Sequence, residues 1–182
     1  LKKVLSLGFK PNKIVYSGVG KKFEELKFAI NKNILLINVE SESELKIIEK
    51  LAKKLKKKVS VGLRLNPNVD AKTNSKISTG RTQDKFGLNK AEIIKILNKF
   101  ANSKDIKFKC LSVHIGSQIT QNKPYDNVLI SINAILSKTK HKFEYVDLGG
   151  GMGIKYNKEG KKLDYTKLSK NIHKFAKKIV VR

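Results

Sequence analysis

The sequence predicts an α/β protein built from parallel strands, and three observations carry that prediction. Apolar runs short enough for strands alternate with stretches whose apolar residues recur every three and four positions, the pattern of βα units. Two of the runs stop at polar or glycine-rich signatures, His114-Ile115-Gly116-Ser117-Gln118 and Gly149-Gly150-Gly151-Met152-Gly153. In parallel α/β folds the C-terminal strand ends hold ligands, so signatures of this kind belong where these runs place them. At 182 residues and 40% hydrophobic content, the chain is long and apolar enough for one core and unlike a disordered one.

The elements follow in order. Lys13 to Tyr16 and Ile34 to Val39 read as the first two strands, with helical periodicity between them. After the second, Ser41 and Glu44 have the spacing of a capping box, and Leu45, Ile48, Leu51 and Leu55 line one face of the helix that follows. Val59 to Leu65 is the third strand. Asn89 can cap the next helix, which turns Ile93, Ile96, Leu97 and Phe100 inward. Phe108 to Ile115 is the fourth strand, and the helix after Pro124 presents Leu129, Ile132, Ile135 and Leu136. Phe143 to Leu148 is the fifth, and a last helix from about Asp164 carries Leu168, Ile172, Phe175 and Ile179. These apolar stripes are core faces.

Five βα units cannot close a barrel of eight, and an open sheet of this order would leave its edges unpaired. With no internal repeat and no linker, residues 1–182 read as one domain, an interior slice of a (β/α)8 barrel. A first residue that is Leu1 rather than Met, and Arg182 directly after Ile179-Val180-Val181, fit the expectation of a fragment of a longer chain.

One connection is long for a compact domain. Asn66 to Leu88 is polar and carries Asn66-Pro67-Asn68-Val69-Asp70, Ile77-Ser78-Thr79-Gly80 and Lys85-Phe86-Gly87. It could be a solvated excursion, but its place directly after a strand end favours an active-site flap or an interface loop.

The formal charge of +25 raises nucleic acid as a partner. Only three of the 40 basic residues are arginines (Arg64, Arg81, Arg182), and the lysines spread over every helix rather than joining a recognition module. Together with abundant Asn and Ile this is the signature of an AT-rich coding bias, and no nucleic-acid partner is expected. Cys110 is the only cysteine, which excludes a disulfide framework and a cysteine-based metal site and suits a reducing cytoplasm. No apolar run reaches the length of a membrane span, so no membrane association is expected.

A lone histidine at a strand end is often only a hydrogen-bonded structural residue, and a glycine run can be only a tight turn. Number separates the two readings of the second signature, because a turn needs one or two glycines and residues 149–153 contain four. A backbone bare of side chains lets several N–H groups approach a phosphate. Ile154 stands where a dinucleotide fingerprint needs its third glycine. Ser17-Gly18-Val19-Gly20-Lys21 lacks the upstream glycine and the trailing Ser or Thr of a P-loop. Neither segment is a nucleotide loop.

Taken together, Leu63 to Asp70, Ile77 to Gly80, Lys85-Phe86-Gly87, His114 to Gln118 and Asp147 to Gly153 stand in the order found in a known family. The chain resembles the pyridoxal-phosphate-dependent ornithine, diaminopimelate and arginine decarboxylases, whose barrel is of the alanine-racemase type, and most of all their diaminopimelate branch. Ser17 to Lys21 and Asn38-Val39-Glu40-Ser41 are similar to that family's strand-end segments. The resemblance implies barrel strands 3 to 7, with the glycine loop after strand 7, a common phosphate site in barrels.

It also implies a set of roles. His114 would lie against the pyridoxal ring, Ser117 would bond near the phosphate, and Gly149, Gly150 and Gly151 would offer it their N–H groups. Arg64 would approach the cofactor's phenolic oxygen. The implied reaction is decarboxylation of meso-diaminopimelate to L-lysine and CO2, the last step of lysine biosynthesis, by a cytoplasmic homodimer, with the cofactor as electron sink. Residues 1–182 carry no Tyr-x-x-Lys-x-Asn motif for the family's Schiff-base lysine and no Glu-Pro-Gly-Arg loop, and the family's C-terminal β-domain is expected to lie outside them. The chain alone is therefore expected to be inactive. Decarboxylation of ornithine, arginine or carboxynorspermidine on the same fold, or a non-catalytic pyridoxal-phosphate carrier, remain the alternatives.

Overall fold

The structure, a computed structural model, describes residues 1–72, 78–81, 86–156 and 160–180. The chain divides into two compact units. The first comprises Leu1–Leu65, Phe86–Ser112 and His141–Asp147, the second Asn66–Lys85, Val113–Lys140 and Leu148–Arg182.

The first unit carries the sheet. Its strands are β1 (Val15–Tyr16), β2 (Leu36–Val39), β3 (Val59–Leu65), β4 (Ile106–Val113) and β5 (Tyr145–Asp147), and they lie side by side in chain order. The sheet is parallel, with Val15 beside Leu36, Asn38 beside Gly62 and Ser112 beside Asp147. All five expected strands are present. The fourth starts and ends two residues before its predicted range, because Ile115 and Gly116 leave the ladder to meet the 78–80 segment.

Burial follows position. Every residue of β2 is buried, as in a strand covered on both faces, whereas Val15, Tyr145 and Val146 on the outer strands are exposed. The helices α2 (Phe23–Asn31), α3 (Glu42–Leu55) and α4 (Lys90–Lys99) supply the covering stripes: Leu26, Ala29 and Ile30, then Leu45, Ile48, Leu51 and Ala52, then Ile93, Ile96 and Leu97. A short helix, α1 (Lys2–Ser6), and a 3-10 turn at Pro11–Lys13 precede them.

The sheet is curved. Asn38 of β2 donates from Nδ2 to Asp147 Oδ2 of β5 at 3.1 Å, three strand positions away. On a flat sheet those strands would stand about 14 Å apart, so the contact requires the curl of a barrel wall. Gly62, between them on β3, makes room, since a Cβ there would overlap Asn38 Oδ1.

The caps partly follow the sequence reading. Asn89 and Glu92 form both bonds of a capping box, at 2.9 and 2.7 Å. At α3 only half forms: Ser41 Oγ accepts from Glu44 N–H at 3.2 Å, but Glu44 Oε2 accepts from the amide of Glu40, not Ser41. Glu44 is drawn aside by a buried lysine.

The second unit holds α5 (Lys123–Leu136) and α6 (Tyr165–Val180), which pack on each other; seven side chains of α5 are buried. Asn171 Nδ2 donates to Asp126 Oδ1 at 2.6 Å between them. The long connection is not a solvated excursion where it is described. Val69, Ala71 and Ser78 are buried, Val69 N–H donates to Gly80 O at 2.7 Å, and Thr79 N–H donates to Ile115 O at 3.0 Å. Ile77 and Lys85 of the quoted motifs lie outside the described residues. Among the described residues no helix is long and apolar enough to cross a membrane.

Candidate functional site

In the first unit, polar side chains gather at the C-terminal ends of the strands, the functional end of parallel barrels. Ser17 follows β1, Asn38 and Glu40 sit at the end of β2, and Arg64, Ser112 and Asp147 are at the ends of β3, β4 and β5. Asn38 is the hub, for its Nδ2 donates to Ser17 Oγ at 2.8 Å as well as to Asp147. Arg64 Nη1 meets Glu40 Oε1 at 2.7 Å, and its guanidinium carbon stands 5.5 Å from the centre of the Phe86 ring. Three buried atoms here, Asn38 Oδ1, Glu40 Oε2 and Ser112 Oγ, have no hydrogen-bond partner among the described residues. Orphaned buried oxygens are rare and costly, and they mark a place prepared for a polar group.

Cys110 lies in the same strand, two residues before Ser112. Burial, reinforced by the charge of Asp147, pushes its thiol up to about 12, so it is a protonated packing residue at neutral pH.

In the second unit the glycine loop is folded against the His114 segment. Gly149 and Gly151 have φ of +70° and +83°. A Cβ at Gly149 would lie 2.5 Å from Val113 O and 2.8 Å from His114 Nδ1, and one at Gly151 would overlap Gly116 O. Gly153 is similarly confined, its Cβ position 2.7 Å from Thr120 Cγ2. Gly150 differs, because among the described residues nothing stands within 4 Å of its Cβ position. Three glycines are thus demanded by close packing, and the fourth borders open space.

Gly150 is also held. Its N–H donates to His114 Nδ1 at 3.4 Å, and its carbonyl accepts from the buried Tyr125 hydroxyl at 3.1 Å. With Nδ1 accepting, a neutral His114 ring carries its proton on Nε2. Thr79 Oγ1 donates to His114 O at 2.9 Å and fixes the residue's backbone. Ser117 is exposed, next to Gly116 and close to Gly151. Gln118, with φ of +57°, donates to the Tyr156 hydroxyl at 2.7 Å and accepts from Ile154 N–H at 3.2 Å.

Of the predicted residues, His114, Ser117, Gly149, Gly150 and Gly151 share the second unit, and Arg64 sits in the first with Glu40. The Gly150 N–H, expected to face a phosphate, is directed at His114. Lys21, Asn38 and Asp147 carry no individual role in the sequence, although they stand in the segments Ser17 to Lys21, Asn38 to Ser41 and Asp147 to Gly153, and Glu44 enters it only as half of a capping box. Tyr125 carries no signal in the sequence beyond its helix, and Thr79 none beyond its place in the Ile77 to Gly80 motif.

Comparison with known proteins places these features. Residues 1–181 match the family described as pyridoxal-dependent decarboxylase, pyridoxal binding domain. The chain is 38% identical over 159 residues to a diaminopimelate decarboxylase of Zymomonas mobilis, covering 86% of this chain and 38% of that protein. A diaminopimelate decarboxylase of Aquifex aeolicus is 39% identical over 157 residues, 85% of this chain and 37% of its own length. The fold is similar to the crystal structure of diaminopimelate decarboxylase from Helicobacter pylori complexed with L-lysine, at a TM-score of 0.88 and 33% identity over 96% of this chain and 45% of that one. The chain therefore spans less than half the length of these relatives.

Proposed function

The chain belongs to the pyridoxal-dependent decarboxylases, as their pyridoxal binding domain, and from that premise we propose that it is the cofactor-holding part of a diaminopimelate decarboxylase, releasing CO2 from meso-diaminopimelate to give L-lysine. The whole enzyme would act as a cytoplasmic homodimer. The substrate assignment rests on the relatives' names and on the lysine in the Helicobacter pylori complex.

The observation that carries the cofactor reading is the glycine loop. Side-chain-free backbone at 149–151 bends through two left-handed residues and leaves space beside Gly150 among the described residues, which suits a phosphate. The unpartnered Asn38 Oδ1, Glu40 Oε2 and Ser112 Oγ suit a polar aromatic group at the strand ends. When bound, pyridoxal phosphate supplies the electron sink for loss of the carboxylate.

The residues of this chain supply position and charge. The backbone N–H groups of Gly149, Gly150 and Gly151 and the hydroxyl of Ser117 would hold the phosphate. The imidazole of His114 would lie against the ring and keep it oriented, and the Arg64 guanidinium, aimed by Glu40, would meet the phenolic oxygen. To face a phosphate, Gly150 must exchange its long bond to His114 Nδ1 for a charge-assisted one, which is the stronger of the two.

The test is CO2 release by the protein of the complete reading frame, supplied with pyridoxal phosphate and offered meso-diaminopimelate, ornithine, arginine and carboxynorspermidine in parallel. Preference for meso-diaminopimelate with lysine as product is the expected result. Preference for another amine overturns the substrate assignment, and failure to bind the cofactor overturns the reading as a whole.

A further inference from the structure

Lys21 belongs to a segment that fails as a phosphate loop, and the fold gives it a different task. Its side chain is 1% exposed, and its ammonium bonds to the Gly18 carbonyl at 2.5 Å, the Asn38 carbonyl at 2.8 Å and Glu44 Oε1 at 2.9 Å. All three donors are engaged. One nitrogen thereby ties the loop after β1 to the end of β2 and to the first turn of α3.

Glu44 is filled in the same way. Oε1 takes Lys21, and Oε2 takes the amide N–H of Glu40 at 2.7 Å. Glu40 then presents Oε1 to Arg64 at 2.7 Å and keeps Oε2 buried without a partner, its side chain 8% exposed. A carboxylate at a strand end gains by turning both oxygens to water or to a second donor. Holding the Glu40 backbone from behind fixes the point from which its side chain reaches Arg64.

We infer that Lys21 and Glu44 are positioning residues, which fix Glu40, and through it the Arg64 guanidinium, for ligand binding at the C-terminal ends of β2 and β3. This rests on the reading that the domain holds pyridoxal phosphate. Two ion pairs in series do what neither does alone: Lys21 with Glu44 sets the backbone of Glu40, and Glu40 sets Arg64. A planar guanidinium at position 21 could not serve three acceptors arranged around a tetrahedral ammonium, so the pair is specific to lysine.

Glu44→Gln is the informative variant. It conserves shape, but an amide has one acceptor oxygen, so either the bond from Lys21 or the bond from Glu40 N–H is lost. In the full-length protein, pyridoxal phosphate is titrated and the absorbance and visible circular dichroism of the bound cofactor are recorded. Glu44→Gln is expected to raise the cofactor's dissociation constant about tenfold or more and to weaken the visible dichroism, because misplacement of an orienting group is amplified at the ligand. Lys21→Met should move both in the same direction. Should it fail to fold, Glu44→Gln decides alone. Glu42→Gln, on the same helix turn but paired with surface lysines, should match the parent. Glu44→Gln with the parent's dissociation constant and dichroism, whatever its melting temperature, overturns the inference. A parent that binds no pyridoxal phosphate overturns the underlying reading, a different result from loss confined to the variants.

Discussion

Gly150→Val tests whether the glycine loop is a ligand cradle or only a turn, because the structure separates the two costs. Among the described residues nothing lies within 4 Å of the Cβ position at Gly150, and its φ is outside the left-handed region. The added side chain should change folding stability by no more than about 0.5 kcal/mol, the usual range for an unobstructed surface position. In a domain of this size that is a shift of about 2 °C or less in Tm. If the Gly150 N–H meets a phosphate, the valine side chain enters the space the anion needs. Losing one hydrogen bond to a charged group costs about 1.5–3 kcal/mol. That is about a ten- to hundredfold rise in Kd.

Gly151→Ala is the counterpart. The left-handed φ of +83° alone costs an alanine about 1–2 kcal/mol, before the overlap with Gly116 O is relieved. It should therefore lower Tm as well as affinity. Both variants would be measured in the full-length protein by thermal unfolding without cofactor and by pyridoxal-phosphate titration. Superimposable titrations for Gly150→Val and parent would refute the cradle, and a large fall in Tm for Gly150→Val without cofactor would refute the open space.

Three further outcomes are expected. His114→Ala should weaken pyridoxal-phosphate retention and slow decarboxylation, while His114→Phe, which keeps a ring but not the Nδ1 acceptor for Gly150, should retain more cofactor; equal kinetics and occupancy in all three proteins would remove the stacking role. Gly62→Ala should cost about 1–3 kcal/mol, because its Cβ displaces Asn38 from Ser17 and Asp147, and an unchanged denaturant midpoint would contradict this. Stability should also fall at alkaline pH. Burial holds the Cys110 thiol and the Tyr125 hydroxyl up at about 12, above their ordinary values of 9.0 and 10.0. The unfolded chain releases those protons first, so their contribution is complete below pH 9 and is lost as pH rises towards 12, at up to about 1.4 kcal/mol per pH unit for each group. Urea midpoints measured from pH 7 to pH 11 check the slope, and Cys110→Ala should reduce it.

The sequence by itself determined the α/β class, the five strands and the buried faces of α3, α4 and α5, because these depend on local periodicity and on caps such as Asn89 with Glu92. On α6 only Leu168 of the expected stripe is buried, and Ile172, Phe175 and Ile179 are half-buried. It also exposed the glycine loop and His114, since four glycines in five positions state a backbone requirement that no distant residue need supply. Tertiary structure alone decided which glycines are obligatory for packing and which one borders open space, for that depends on where Gly116, Val113 and His114 come to lie. It alone joined Asn38 to Asp147 across 109 positions of sequence, a contact that exists because the sheet curls. And it turned Lys21 from a failed phosphate motif into a buried ammonium, and Glu44 from half of a cap into its partner. A charged residue's role is set by the partners that replace its water, and in this fold those partners come from three different elements.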